Sequence, residues 1–355
     1  MSATRATPRK EESAGTIRTR HCPECYVCRR RGELLYENLT DRLFGAPGTW
    51  SIRRCPDTKC GTVWLDPMPV EEDIGKAYDS YCTHEADVRP ADGWARRLYF
   101  RMQLGYLRTK YHYRPDGRNR WDLLFTLLAY LNPIRRAGFE SSVFYLRPKP
   151  YARLLDLGCG SGAMLKSMQD LGWQVEGVDF DPAAVEKARE RGLTVHLGTL
   201  ADQNFPDETF DAIVASHFIE HIPDPLKTLQ ECRRILKPRG HLVMITPNAD
   251  SWGHRLYKAD WRGLEPPRHL IIFTPLAMAA ICRQAGLNPT RCRAIIRASG
   301  ILTASGMLRR TGKVEFTRPT AWTLRLWEET RGLAQWAGSF VDPAAGEEVL
   351  LIASK

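Results

Sequence analysis

The chain has 355 residues, 43% of them hydrophobic and 26% charged, with ten cysteines and a formal net charge of +10. That balance excludes a disordered or low-complexity protein and leaves room for one substantial core with a smaller satellite. The longest near-apolar run, Leu123 to Leu131, falls far short of the roughly 20 residues that cross a bilayer.

The positive surplus favours acidic contacts: nucleic acid, anionic lipid, an acidic carrier protein or a phosphorylated substrate. In chain order, residues 1–20 read as a disordered basic tail without the apolar centre of a secretory signal. Residues 21–69 are dense in cysteine and turn formers, and 70–149 form a basic, aromatic helical linker or cap. Residues 150–297 carry an alternating α/β pattern, and 298–355 read as a helical extension with a final strand. Five cysteines lie from Cys22 to Cys60 and the others are scattered singly. A reducing, cytoplasmic setting with one metal site accounts for this better than a disulfide scaffold.

In the first block, Cys25-Tyr-Val-Cys28 and the pair Cys55 and Cys60 form two turn-like thiolate pairs separated by 26 residues. Four thiolates satisfy Zn²⁺ in a tetrahedron, and a closed set of this kind is structural rather than catalytic. Because the block has few large aliphatics, metal binding is expected to supply much of its folding energy. Cys22-Pro-Glu-Cys25 is an equally valid C-x-x-C, so the residues alone leave two ligand sets open.

In the second block, Arg96, Arg97, Arg101 and Arg108 alternate with Tyr99, Tyr106, Tyr111 and Tyr113. Four readings fit: tyrosines packed on the core with arginines in water, a cap over a substrate, an RNA surface that stacks bases, or a helix lying in a membrane interface.

The third block opens with a strand over Ala152 to Gly160, then a helix from Ala163 and a second strand over Val175 to Asp179. Further strands follow at Leu193–Gly198, Phe210–Ser216 and Gly240–Pro247, with a helix over Pro275–Ala285 and a closing apolar run at Val349–Ala353. Short strands separated by helical stretches predict a doubly wound, mainly parallel sheet, a Rossmann-like α/β fold. Within LLDLGCGSG, Gly158, Gly160 and Gly162 allow a tight turn that a ligand can approach closely. The spacing G-x-G-x-G departs from the dinucleotide pattern, and Asp156 beside it would oppose a pyrophosphate but suit a cationic amino acid moiety. Asp179, at the end of the next strand, is placed to accept ribose hydroxyls.

With these motifs in view, Tyr151 to Ala285 resembles the class I S-adenosylmethionine-dependent methyltransferase domain, especially its small-molecule branch. HFIEHIPDP from His217, RRILKPRGHLVMITPN from Arg233 and RHLIIFTP from Arg268 continue the resemblance in order, with Arg239 where glycine is commoner. It implies that Asp156, Gly158, Cys159, Gly160 and Gly162 surround the methionine part of S-adenosylmethionine. It also implies that Asp179 holds ribose, that Phe180, Thr199 and Leu200 border adenine, and that Ser216 and His217 lie near the methionine moiety. The distance from Cys25 and Cys28 to GELLY resembles the N-terminal zinc ribbons fused to some bacterial methyltransferases. That resemblance selects Cys25, Cys28, Cys55 and Cys60 as ligands and leaves Cys22 free.

Methyl transfer to a hydroxyl needs alignment and a proton acceptor, and histidine suits that task. His269 on the stiff PPRHL segment is the first candidate, followed by His221 and His217; Glu220 orients a histidine or forms an ion pair, and Asn248 and Trp261 shape a substrate pocket. The base-amine motif Asn/Asp-Pro-Pro-aromatic is replaced by SHFIEH, and Cys232 lies too far along for a cytosine-C5 nucleophile. The expected function is methyl transfer from S-adenosylmethionine to a small-molecule acceptor, at oxygen. An RNA methyltransferase, or an interaction protein that binds cofactor with little turnover, is the alternative. The acceptor is expected to be acidic or carrier-linked, and the location cytoplasmic with peripheral membrane contact left open.

Overall fold

The computed structural model describes residues 16–78, 93–113, 120–149, 151–297, 300–314 and 322–355. The tail was expected to be mobile through Arg20, but its end is ordered. β1 (Thr19–Arg20) pairs with β5 (Met68–Pro69), and the Arg18 guanidinium donates to Asp73 at 3.0 Å. The rest of the expected tail, 1–15, lies outside the described residues.

Between those two strands run β2 (Glu33–Leu39), β3 (Trp50–Arg54) and β4 (Val63–Leu65), a meander whose order is β4-β3-β2. Trp50, Ile52 and, opposite Ile52 in the register, Leu65 are buried, which makes one face of this small sheet apolar. A 3-10 stretch, Glu71–Tyr78, leads out of it.

The helical insert comprises α1 (Trp94–Tyr106), α2 (Asp122–Tyr130) and α3 (Pro133–Ser141), the last begun by Asn132, whose side chain accepts from the N–H groups of Ile134 and Arg135. Tyr106, Tyr111 and Tyr113 are buried in one core with Phe139 and Trp173, and Trp173 Nε1 donates to Tyr113 Oη at 3.0 Å. These three rings are therefore packing groups, and the reading of an RNA-stacking surface loses them.

The α/β block alternates β6 (Arg153–Leu157), α4 (Ala163–Asp170), β7 (Gln174–Asp179), α5 (Pro182–Glu190), β8 (Thr194–Leu197), β9 (Phe210–Ser216), α6 (Pro225–Ile235) and β10 (Leu236–Pro247). Then come α7 (Trp252–Tyr257), β11 (Ile271–Ile272), α8 (Pro275–Gln284), β12 (Asn288–Ile295), α9 (Gly300–Thr311), α10 (Trp322–Gly338) and β13 (Glu348–Ser354). The seven-stranded sheet has the order β12-β13-β10-β9-β6-β7-β8. Five strands are parallel, while β13 runs antiparallel between β10 and β12. The closing run is thus an interior strand, consistent with its nearly continuous burial. The order reverses between β6 and β9, so a ligand crevice opens at their C-terminal ends.

β11 extends the N-terminal sheet by pairing with β4, Ile271 opposite Trp64. The cysteine-rich block and the α/β block therefore share a strand and one apolar core.

Candidate active site

The turn after β6 is built by three glycines with positive φ: Gly158 at 70°, Gly160 at 52° and Gly162 at 76°. A Cβ on Gly162 would lie 2.4 Å from Leu193 Cδ1, so α4 packs against the next unit only without a side chain there. A Cβ on Gly160 would meet nothing within 4 Å, because that position faces open space. The loop is pinned from below by Gly158 N–H donating to the Val178 carbonyl at 2.8 Å.

Asp179 accepts Gly160 N–H on Oδ2 at 2.7 Å and Asp181 N–H on Oδ1 at 2.9 Å. Each carboxylate oxygen keeps a lone pair for a further donor. Asp156 is buried and accepts no hydrogen bond from the described residues. Burial, reinforced by the charge of Asp179, pushes its carboxyl up to about 8. A buried acid of that kind stands ready for a cation. Phe180 is exposed beside the loop, Leu200 is buried, and Thr199 donates to Asp202 through both its N–H (2.8 Å) and its hydroxyl (2.7 Å). Ser216 ends β9 and His217 follows it with φ of 53°.

The three candidate histidines sit in different electrostatic surroundings. His217 bonds through Nδ1 to Glu220 (3.2 Å) and through Nε2 to Glu348 (2.9 Å). Burial opposes its charge, and Arg297 lies 3.2 Å from Nε2, but the two carboxylates hold the imidazole up at about 9. His269 is buried and donates Nδ1–H to the Gly263 carbonyl at 2.7 Å; burial brings it down to about 4 and keeps it neutral. His221 is half-buried, and its Nδ1 lies 3.0 Å from the Arg268 carbonyl and 2.8 Å from Tyr78 Oη. Since a carbonyl only accepts, Nδ1 carries the hydrogen and Nε2 is the basic nitrogen.

Two clusters among the described residues bring donor atoms within 4.8 Å of one another. One is Cys25, Cys28, Cys55 and Cys60; the other is Glu220, His221 and His269. In the first, Cys25 and Cys60 sulfurs are 3.5 Å apart and those of Cys28 and Cys55 are 3.3 Å apart. In the second, Glu220 is already engaged by His217 and by the Thr246 hydroxyl at 2.9 Å. Cys22 is outside the first cluster, with its sulfur accepting from Tyr26 Oη at 3.3 Å.

Sequence reasoning missed two supports of the site. Tyr78, at the end of the 3-10 stretch, contacts His221 and packs edge-on to Phe180 at 5.1 Å. Arg268, fully buried, makes a bidentate pair with Asp41 (2.8 and 2.9 Å), a bond to Glu265 (2.9 Å) and one to the Ala77 carbonyl (3.1 Å). An arginine directly before the apolar string of RHLIIFTP was the available signal, but its partner 227 positions away was not. Of the two proposed pocket residues, Trp261 is buried, stacks on His254 at 4.7 Å and donates to Glu347 at 2.8 Å. Asn248 is buried and donates to the carbonyls of Ala344 (2.8 Å) and Gly346 (2.7 Å), so both brace the loop before β13.

A family model described as a methyltransferase domain matches residues 122–291. A ubiquinone biosynthesis O-methyltransferase of Cereibacter sphaeroides is 32% identical over 181 residues, covering 48% of this chain and 73% of that protein. The chain belongs to the class I S-adenosylmethionine-dependent methyltransferases. A second ubiquinone biosynthesis O-methyltransferase, from Paraburkholderia phymatum, is 30% identical to this methyltransferase over 48% of its chain and 79% of the relative. An S-adenosylmethionine-dependent methyltransferase of Mesorhizobium loti aligns at TM-score 0.43 and 16% identity, over 62% of this chain and 98% of that one. The open loop at Gly160, the buried Asp156 and the two-sided carboxylate of Asp179 suit S-adenosylmethionine, the methyl donor of this enzyme.

Proposed function

We propose that this methyltransferase methylates a hydroxyl oxygen of a small-molecule acceptor, with His221 taking the proton. The observation that carries the choice of oxygen is the similarity to O-methyltransferases of ubiquinone biosynthesis over nearly three quarters of their length. S-adenosylmethionine supplies the electrophilic methyl group. With the cofactor bound, the methyl would be accepted by the hydroxyl oxygen, and His221 Nε2 would hold the hydroxyl proton. His221 takes precedence over the first candidate because His269 is buried and held near 4, a weak base. His217, already protonated near neutral pH, has no basic nitrogen left to accept a proton; it orders the loop between Glu220 and Glu348.

In this reading Asp156 receives the methionine ammonium, Asp179 the ribose hydroxyls, and Phe180, Thr199 and Leu200 border the adenine. Gly158, Cys159, Gly160, Gly162 and Ser216 form the remaining wall. Cys25, Cys28, Cys55 and Cys60 hold one structural zinc; Zn–S bonds of about 2.3 Å imply sulfur separations close to those of this cluster. The metal stiffens the sheet that β11 joins, and so steadies the RHLIIFTP segment that positions His221.

Transfer of a labelled methyl group to a panel of catechols, phenols and amines tests the proposal. Labelling of hydroxyl acceptors that falls at least about a hundredfold in His221→Gln, with cofactor binding unchanged, is the expected result. Labelling confined to amines would overturn the choice of oxygen, and full activity in His221→Gln would overturn the base.

A further inference from the structure

The second helix of the insert buries Asp122, Thr126 and Ala129 and packs Phe125 and Leu128 against the core, yet leaves a further leucine row outside. Thr126 Oγ1 donates to the Gly105 carbonyl at 3.0 Å, and Asp122 pairs with Arg108 at 3.2 Å. α1 and α2 approach so closely that a Cβ on Gly105 would lie 2.8 Å from Phe125 Cβ. The opposite stripe, facing out, carries Leu123, Leu127 and Leu131 at 64%, 58% and 79% exposure, with Leu124 and Tyr130 beside them. A helix serving only as a water-facing cap has the reverse arrangement, and a leucine row left open over two turns marks a contact face.

The rim of this face is cationic. Residues 93–113 and 120–149 contain ten lysines and arginines against two acids; Arg108 is turned inward to Asp122 and Lys149 to Asp211, which leaves the arginines beside the helix as the surplus. Both acids are turned to internal partners, Asp122 to Arg108 and Glu140 to the Tyr106 hydroxyl at 2.6 Å. Arg136 lies over the Tyr130 ring at 5.0 Å and Arg120 over the Trp121 ring at 4.9 Å, which brings guanidinium groups to the edge of the leucine row. Trp94 is 79% exposed at the start of α1. Apolar row, interfacial tryptophans and a basic rim are the elements of a helix that lies in the headgroup region of an anionic membrane.

We propose that the outward face of α2, rimmed by the arginines of the insert, docks on an anionic lipid bilayer. The contact is peripheral, since no described helix is long and apolar enough to cross a membrane. Charge selects this occupant over a second copy of the chain, which would set one basic face against another. The open aliphatic row selects it over nucleic acid, which gains nothing from leucine and would find Tyr106, Tyr111 and Tyr113 buried.

The test is flotation of the full, zinc-loaded chain with phosphatidylcholine vesicles, with and without phosphatidylglycerol. The expected result is flotation with the anionic vesicles, weakened by salt and reduced at least about tenfold by the paired change Leu123→Glu and Leu127→Glu. Those leucines are exposed, so the variant should keep the wild-type melting temperature and its affinity for S-adenosylhomocysteine, both measured alongside. Arg136→Ala should weaken flotation with less effect on melting. Failure of the wild type to float at low salt, or undiminished flotation of the folded leucine variant, would overturn the proposal. So would sedimentation showing that the leucine change abolishes a dimer instead.

Discussion

The Gly160 N–H donates to Asp179 Oδ2 at 2.7 Å, so the carboxylate that closes the glycine loop is also the one proposed to hold the ribose. Asp179→Ala removes both roles. S-adenosylhomocysteine affinity should fall at least about tenfold by calorimetry, a loss of about 1.4 kcal/mol or more. Asp179→Asn, which keeps an acceptor for Gly160, should lose less. Unchanged affinity in the alanine variant would remove Asp179 from the cofactor site.

Cofactor binding should also depend on pH through Asp156. In the free protein its carboxyl is held up at about 8 by burial and then by Asp179, so it carries a proton at neutral pH. A ligand ammonium favours the carboxylate, so binding releases a proton and tightens as pH rises toward that value. Calorimetry in two buffers of different ionisation enthalpy reads the proton directly. Proton uptake, or affinity that weakens between about pH 6 and 7.5, would contradict the assignment.

The imidazolium of His217 makes a stability prediction of opposite origin. Its folded value of about 9 lies above the ordinary 6.5, so its contribution is full below 6.5 and is lost as pH rises through 9. The melting temperature should therefore decline across that interval. His217→Gln should flatten part of the decline, leaving the part due to Asp156, which also holds its proton more tightly when folded. A decline of the same size in the variant would show that the pair with Glu220 and Glu348 does not contribute.

Replacing Arg268 by Ala leaves buried Asp41 without its cation and Glu265 with Arg262 alone. The cost should be about 3–5 kcal/mol, seen as a large fall in denaturant midpoint. Lysine should rescue little, because it cannot span the bidentate pair with Asp41 and the bond to Glu265 together.

Zinc content separates the two ligand sets that the cysteine spacing left open. Cys55→Ser should release the metal and unfold the N-terminal sheet, whereas Cys22→Ser should retain one zinc per chain. Loss of zinc in the Cys22 variant would reverse the assignment.

The parts of this molecule that were legible in sequence are those governed by neighbours in the chain. The glycine turn, Asp179 and the strand at Phe210–Ser216 announce themselves because turn geometry and strand burial act within a few residues. The charged lock at Arg268 was hidden, since its meaning depends on Asp41, 227 positions earlier. The ranking of the histidines was hidden for a similar reason: Glu348, which raises His217, is 131 positions away on an antiparallel strand. The apolar run from Leu123 suggested a helix, but its polar residues, Asp122 and Thr126, turned out to face inward. Only the packing partner, Gly105, explains that choice.

The methyltransferase reading requires the crevice at the ends of β6 and β9 to bind S-adenosylmethionine in solution. Its most direct test is calorimetric titration of the full, zinc-loaded chain with S-adenosylhomocysteine, with NAD in parallel. Micromolar binding of the former and none of the latter is the predicted result. Binding of NAD, or of neither ligand by folded protein, would contradict the account.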